Sequence, residues 1–288
     1  MDTVDQVDST TPGQNDGQSD ESFSAADQKD KFLADASGES NAFAEQKPLY
    51  RGLWAESIKD GDEIPVGGSI FSDKLDTMLT VDTEWMQDTL GKFTAARIEE
   101  AYEGGNGAKF APWIEKNGIK IDPQIFHKLL QVQATTRRLL QVGDEPVARQ
   151  RKDKYYDGQE SKLSDFVGKS ECAEQAVVGK LLLDNIGVAS TLMEGVHVDN
   201  KGDDPIDHAF LVMDDSQGDG SLIFDIARPK ASIDGYPRIL RSEKKLSYST
   251  FEGKDNYVVP AVDIYNGNTI HYGVGHSSLM QDVNFADS

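Results

Sequence analysis

The sequence predicts an α+β fold: a cysteine-bearing helix packed on an antiparallel sheet, behind a helical region and an acidic, disordered tail. Three observations carry that expectation. Glu171 to Ile186 places apolar residues at helical spacing, with the chain's one cysteine in the first turn. Downstream, His208–Met213 and Ser221–Ala227 are short apolar runs either side of a polar, Gly-containing loop, the pattern of a hairpin. Upstream, residues 1–50 hold 11 Asp or Glu against 3 Lys, a net of −8, and among the first 20 only Met1, Val4 and Val7 are apolar. A segment so poor in apolar surface cannot offset its chain entropy. The expected organisation is a disordered acidic tail over 1–46, a helical N-terminal region packed on the core over 47–122, the core over 123–265 and a C-terminal tail over 266–288.

The chain has 288 residues, 50 acidic and 29 basic side chains and a formal charge of −21. At ~150 residues per domain, that length supports one large or two small domains with a real core. One cysteine makes no intramolecular disulfide and no Cys-rich zinc site. No run approaches the ~18 apolar residues of a spanning helix, and Met1-Asp2-Thr3-Val4-Asp5 is too acidic for a secretory leader. So negative a chain argues against nucleic acid, which is bound through clustered Lys and Arg. The expectation is a soluble, cytoplasmic protein with no cofactor, metal, membrane or nucleic-acid partner, its oligomeric state left open.

From Pro48 the composition becomes globular. Arg51 to Thr80 reads as irregular, punctuated by Gly61, Pro65, Gly67 and Gly68. Thr83 to Tyr102 reads as one helix capped by Thr83, with Trp85, Leu90, Phe93, Ala96 and Ala101 at helical spacing and Gly104-Gly105 as its stop. Asp122-Pro123 opens the next helix as cap followed by Pro in the first turn; Phe126, Leu129, Leu130, Gln133 and Leu140 carry it to about Val142. Gln150 to Ser164 is polar and loop-like.

Ser170 is the expected cap of the cysteine helix. Cys172, Ala176, Gly179, Leu183 and Ile186 form one stripe and Val177 and Leu181 a second, so this helix should be covered on two sides. Gly179 would admit a close neighbour. Gly187 stops the helix, and Val188 to Val198 is the next strand. In the hairpin that follows, pairing Met213 with Gly220 sets His208 opposite Asp225 on one face and leaves a six-residue loop, Asp214 to Asp219. A one-residue slip would send the two side chains to opposite faces.

A free cysteine is most often a small buried hydrophobe. A thiol in a helix's first turn, however, meets the positive end of the dipole and unpaired N–H groups, which favour thiolate and would stabilise an oxyanion. His208 supplies a proton partner. Asp225, between apolar strand residues, needs a partner to be buried in ionised form. Together Cys172, His208 and Asp225 make a nucleophile, a base and an orienter.

The run Ser-Glu-Cys-Ala-Glu-Gln-Ala, followed by Leu181 to Val188, resembles the cysteine helix of the transglutaminase-like superfamily. His208-Ala209-Phe210 is similar to that family's histidine strand and Leu222 to Pro229 to its aspartate strand, with spacings of 36 and 17 residues in the same order. Ser170 stands where Gly is often found and Phe210 where Trp is commoner, both outside the triad. The resemblance covers about residues 166–229. It implies a papain-like core and catalysis by Cys172, His208 and Asp225.

Other candidates are thinner. His271 and His276 flank Tyr272-Gly273-Val274-Gly275 but lack a third metal ligand at helical spacing. His127 beside an apolar helix face reads as structural. Asp199, Asp203, Asp204 and Asp207 lack the spacing of a calcium loop and read as a solvated connection. Trp113, Tyr155, Tyr156 and Gln159 are upstream candidates for an oxyanion donor, none singled out. Three functions remain: a thiol hydrolase of protease or amidase type acting on a protein, peptide or amide; an acyltransferase of transglutaminase or arylamine N-acetyltransferase type; or a catalytically silent interaction module. Hydrolysis leads because compact relatives in the resembled family are commonly assigned to it, and coenzyme A would want a basic pocket.

Overall fold

The computed structural model describes residues 46–49, 52–65, 78–105, 107, 109–142, 161–201, 203–227, 236–275 and 283–286. The expected acidic tail lies outside them except for Gln46, which belongs to the first strand. Strands β1 (Gln46–Leu49) and β2 (Gly52–Ala55) pair antiparallel. A separate three-stranded sheet joins β3 (Glu63–Pro65), β4 (Met78–Thr80) and β5 (Ser161–Lys162). The stretch expected to be irregular thus contains three strands, each too short for alternation to register. Region 47–122 is mixed, not wholly helical.

Helices α1 (Gln87–Lys92), α2 (Ala95–Glu103), α3 (Phe110–Lys116) and α4 (Pro123–Leu139) follow. The single helix expected over Thr83–Tyr102 is broken. It opens as a 3₁₀ turn, Glu84–Met86, and Thr83 makes no capping bond to it. Thr94 is extended and caps α2 through Arg97 N–H. At the break, the carbonyls of Leu90 and Phe93 accept from Asn185 Nδ2 at 2.9 and 2.6 Å. Helix-end carbonyls need such partners, and this one arrives from more than ninety residues away. Helix α4 begins as expected: the Asp122 carboxylate accepts from the N–H groups of Gln124 and Ile125, with Pro123 in the first turn.

Helix α5 (Cys172–Asn185) carries the cysteine. Its cap is Glu171, not Ser170. Glu171 is extended and closes a reciprocal capping box with Glu174, whose carboxylate accepts Glu171 N–H at 2.8 Å. Ser170 is buried, its hydroxyl without a partner among the described residues. Both expected stripes are covered, with Ala176, Val177, Leu182 and Leu183 fully buried. A Cβ at Gly179 would lie 2.7 Å from Ile226 Cδ1 and 3.3 Å from Leu211 Cδ1, so the glycine sets how closely this helix approaches the sheet.

That sheet is a closed barrel. Strands β6 (Thr191–Val198), β7 (Ile206–Asp214), β8 (Ser221–Asp225), β9 (Arg238–Ser242), β10 (Tyr257–Asp263) and β11 (Thr269–Val274) run in the order β6-β11-β10-β9-β8-β7, and β7 pairs back onto β6. Every pair around the ring is antiparallel. The β1–β2 hairpin extends from β6 through Leu53↔Glu194, and β12 (Asn284–Phe285) lies parallel to β10. The expected tail over 266–288 is therefore corrected: β11 closes the barrel. Side chains alternate across its wall. Met193, Phe210, Val212, Ile223, Leu240 and Tyr272 form one apolar cluster inside. Leu192, Ala209, Leu211, Leu222, Phe224 and Ile239 join the helices outside. Among the described residues no helix is long and apolar enough to cross a membrane.

Candidate active site

Cys172 is the first residue of α5 and is partly exposed. The capping box fixes the helix start immediately before it, so the sulfur sits at the positive end of a 14-residue helix. The remainder of α5 packs against the outer face of β7 and β6, and its first turn meets the end of β7 where His208 stands.

The β7–β8 hairpin differs from the expected register by two residues. Met213 pairs with Leu222 and Leu211 with Phe224, so the same alignment sets Asp225 opposite Phe210. The loop is still six residues long, Asp215 to Gly220. A shift of two preserves the face, because side chains alternate with a period of two. His208 and Asp225 are diagonal neighbours on the barrel's inner side, and His208 Nε2 bonds Asp225 Oδ1 at 2.8 Å. The side chains are 4 % and 0 % exposed. Gly195 is the cross-strand partner of His208 on β6, and a Cβ there would lie 2.1 Å from the Gly273 carbonyl oxygen. That glycine allows β6 and β11 to close beside the imidazole.

Burial alone would push the His208 imidazole down. The Asp225 charge and hydrogen bond overcome it, the Cys172 side chain within hydrogen-bonding reach adds to them, and His208 is pushed up to about 9. Burial would likewise raise Asp225. The charge and hydrogen bond of His208, with smaller contributions from Arg238 and His197, instead hold its carboxyl well below the usual range. At neutral pH the buried pair is imidazolium and carboxylate. The structure thus brings together the three residues singled out in sequence.

Three neighbours were not singled out in sequence. Tyr272 on β11 donates its hydroxyl to Asp225 Oδ2 at 2.9 Å and is fully buried. His197 on β6 lies edge-on to His208, ring centroids 4.7 Å apart. Arg238 on β9 is the cross-strand partner of Asp225. The signal for Tyr272 was present: Ile270, Tyr272 and Val274 alternate as a half-buried strand does.

The weaker candidates sit elsewhere. Trp113 stacks on Tyr236 at 4.9 Å in the helical layer. Tyr155, Tyr156, Gln159 and His276 lie outside the described residues. His127 is buried edge-on to Tyr102, and burial holds its imidazole below its usual value. His271 is buried against the Phe285 ring, lowered by burial and then by Lys201. In the acidic connection Asp203 accepts from Asn200 Nδ2, and Asp199 faces His197 at 3.7 Å. Among the described residues no three His, Cys, Asp or Glu side chains group as metal ligands would.

Compared with known proteins, the chain matches no family model, no curated protein and no solved structure.

Proposed function

We propose that the protein is a thiol enzyme of transglutaminase-like type, with a papain-like arrangement of cysteine helix and barrel, hydrolysing an amide bond through Cys172, His208 and Asp225. The observation that carries the reading is the buried His208–Asp225 ion pair with Cys172 at a helix start beside it. An ion pair taken out of water is costly to keep. The apolar cluster that fills the rest of the barrel interior, with Met193, Phe210, Val212, Ile223 and Leu240, has no packing need for one.

The chemistry follows from the positions. Cys172 Sγ, as the thiolate paired with the His208 imidazolium, attacks the substrate carbonyl carbon, and the carbonyl electron pair moves onto oxygen. The first-turn N–H groups of Cys172 and Ala173, which stand outside the capping box, would face that developing charge. As the tetrahedral species collapses, the His208 imidazolium gives its proton to the leaving amine nitrogen. A thioester on Cys172 remains. His208, now neutral, takes a proton from water as the water oxygen attacks; the sulfur then leaves as thiolate as the acid departs, which restores the thiolate beside the His208 imidazolium. Asp225 holds the ring in position and stabilises its charged form. A protein or peptide substrate suits a partly exposed thiol, and a reducing, cytoplasmic setting keeps that thiol free.

Incubating the protein with peptide, amide and amine pools and weighing the intact chain is the test. Expected is an acyl adduct that peptide mapping assigns to Cys172, and that the Cys172→Ser variant does not form. An amine-linked product instead of free acid would make the enzyme an acyltransferase. Neither adduct nor turnover across the pools would make it a silent module.

A further inference from the structure

Asp225 has two carboxylate oxygens, and each has its own buried partner. Oδ1 bonds His208 at 2.8 Å and Oδ2 accepts the Tyr272 hydroxyl at 2.9 Å. The two partners come from different parts of the ring: His208 from β7, and Tyr272 from β11, which pairs with His197 of β6 and Val259 of β10. A carboxylate held at one oxygen can swing about its Cβ–Cγ bond; held at both, it presents a fixed edge to the imidazole. The phenol ring is itself fixed, packed edge-on to Phe210 at 4.8 Å and tilted against His197 at 5.9 Å.

We infer that Tyr272 is a positioning residue of the site, acting through Asp225 to hold the His208 ring toward Cys172. This inference rests on the thiol-enzyme reading for its consequence, though not for its geometry. A hydroxyl donated to the charged form of a buried carboxylate favours that form. Tyr272 therefore adds to the His208 charge in keeping Asp225 an ionised acceptor against the cost of burial. The groups facing Asp225 are His208 on β7, Arg238 on β9, His197 on β6 and Tyr272 on β11, with Cys172 beyond the imidazole. Of these, Tyr272 meets Asp225 as a hydroxyl donor. Removing its hydroxyl changes no net charge in the cluster.

The test combines a spectroscopic signature with a chemical one. The downfield ring N–H proton of His208 reports its bond to Asp225 and should persist on acidification until Asp225 takes up a proton. In Tyr272→Phe that signal should disappear at a pH about one unit higher, the scale of one lost hydrogen bond to a charged acceptor. Iodoacetamide should alkylate Cys172 at pH 7 roughly tenfold more slowly in the variant, on the same scale. Because Tyr272 acts through Asp225, the substitution should cause no further slowing in an Asp225→Asn background, whereas a merely structural role would slow both. An unchanged acid midpoint in Tyr272→Phe, or equal slowing in both backgrounds, overturns the inference. If the midpoint moves but wild-type Cys172 reacts no faster than in His208→Ala, Tyr272 positions Asp225 and the thiol-enzyme reading has failed, taking the inferred role with it. Should Tyr272→Phe not fold, fluorotyrosine incorporation gives the opposite sign: a stronger donor should move the midpoint down, and no movement overturns the inference.

Discussion

His208 and Asp225 bond diagonally across a hairpin, with Phe210 and not His208 opposite the carboxylate. The bond therefore depends on side-chain geometry across two ladder positions and not on simple cross-strand pairing. Asp225→Asn keeps the shape and loses the charge. Turnover should fall by roughly 10²–10⁴, while Cys172→Ser and His208→Ala abolish it. Steady-state rates on an identified substrate decide this. Asp214→Asn and Asp219→Asn in or beside the loop should stay near wild type.

Asp215, in the same loop, behaves differently. Its sequence context reads as exposed, yet it is buried and accepts from Arg241 Nε at 2.5 Å. Arg241 also donates to the Lys120 carbonyl, tying the barrel to the helical layer. Asp215→Asn should cost about 1.5–3 kcal/mol, the range for hydrogen bonds to charged groups, without changing Cys172 reactivity. Urea denaturation measures the first and alkylation the second.

The ion pair also sets a pH window for stability. His208 is raised in the folded protein to about 9, so its contribution is complete below its unfolded value of about 6.5 and is lost as pH climbs toward 9. Asp225 is lowered, so its contribution is present above its ordinary range and is lost as pH falls toward its folded value. Melting temperature should decline from pH 6.5 to 9 in wild type. In Asp225→Asn the decline should vanish, because burial then holds the imidazole down instead of a carboxylate holding it up.

Gly195→Ala tests the barrel closure beside the site. The added methyl would meet the Gly273 carbonyl at 2.1 Å, and a backbone oxygen inside a ladder has no room to move. Overpacking of this kind typically costs about 1–3 kcal/mol. Denaturant titration should show that loss, together with slower alkylation of Cys172, because His208 faces Gly195.

Local chemistry made part of this molecule legible. Asp122-Pro123 announces α4, and the helix start at Cys172 is readable to within one residue. Alternation placed His208 and Asp225 on one face. It could not place them in register, because a period of two fixes parity while tolerating a slip of two. Ring closure was not readable: β6 meets β11 some seventy-five residues later, and nothing local in Thr269–Val274 names its partner. Tyr272 was lost with that strand. The break between α1 and α2 was hidden for the same reason, since the carbonyls there are satisfied by Asn185.

The most direct measurement is the rate of Cys172 alkylation by iodoacetamide at pH 6–7, in wild type and in His208→Ala, read by mass spectrometry of the intact chain. A thiol activated by its histidine reacts readily below the pKa of about 8.5 of an ordinary cysteine. Wild type should react at least ~10-fold faster than His208→Ala, on the scale of the thiolate stabilisation that an adjacent imidazolium provides. Equal rates in the two proteins would contradict this, and would leave Cys172 an ordinary residue at the head of a helix.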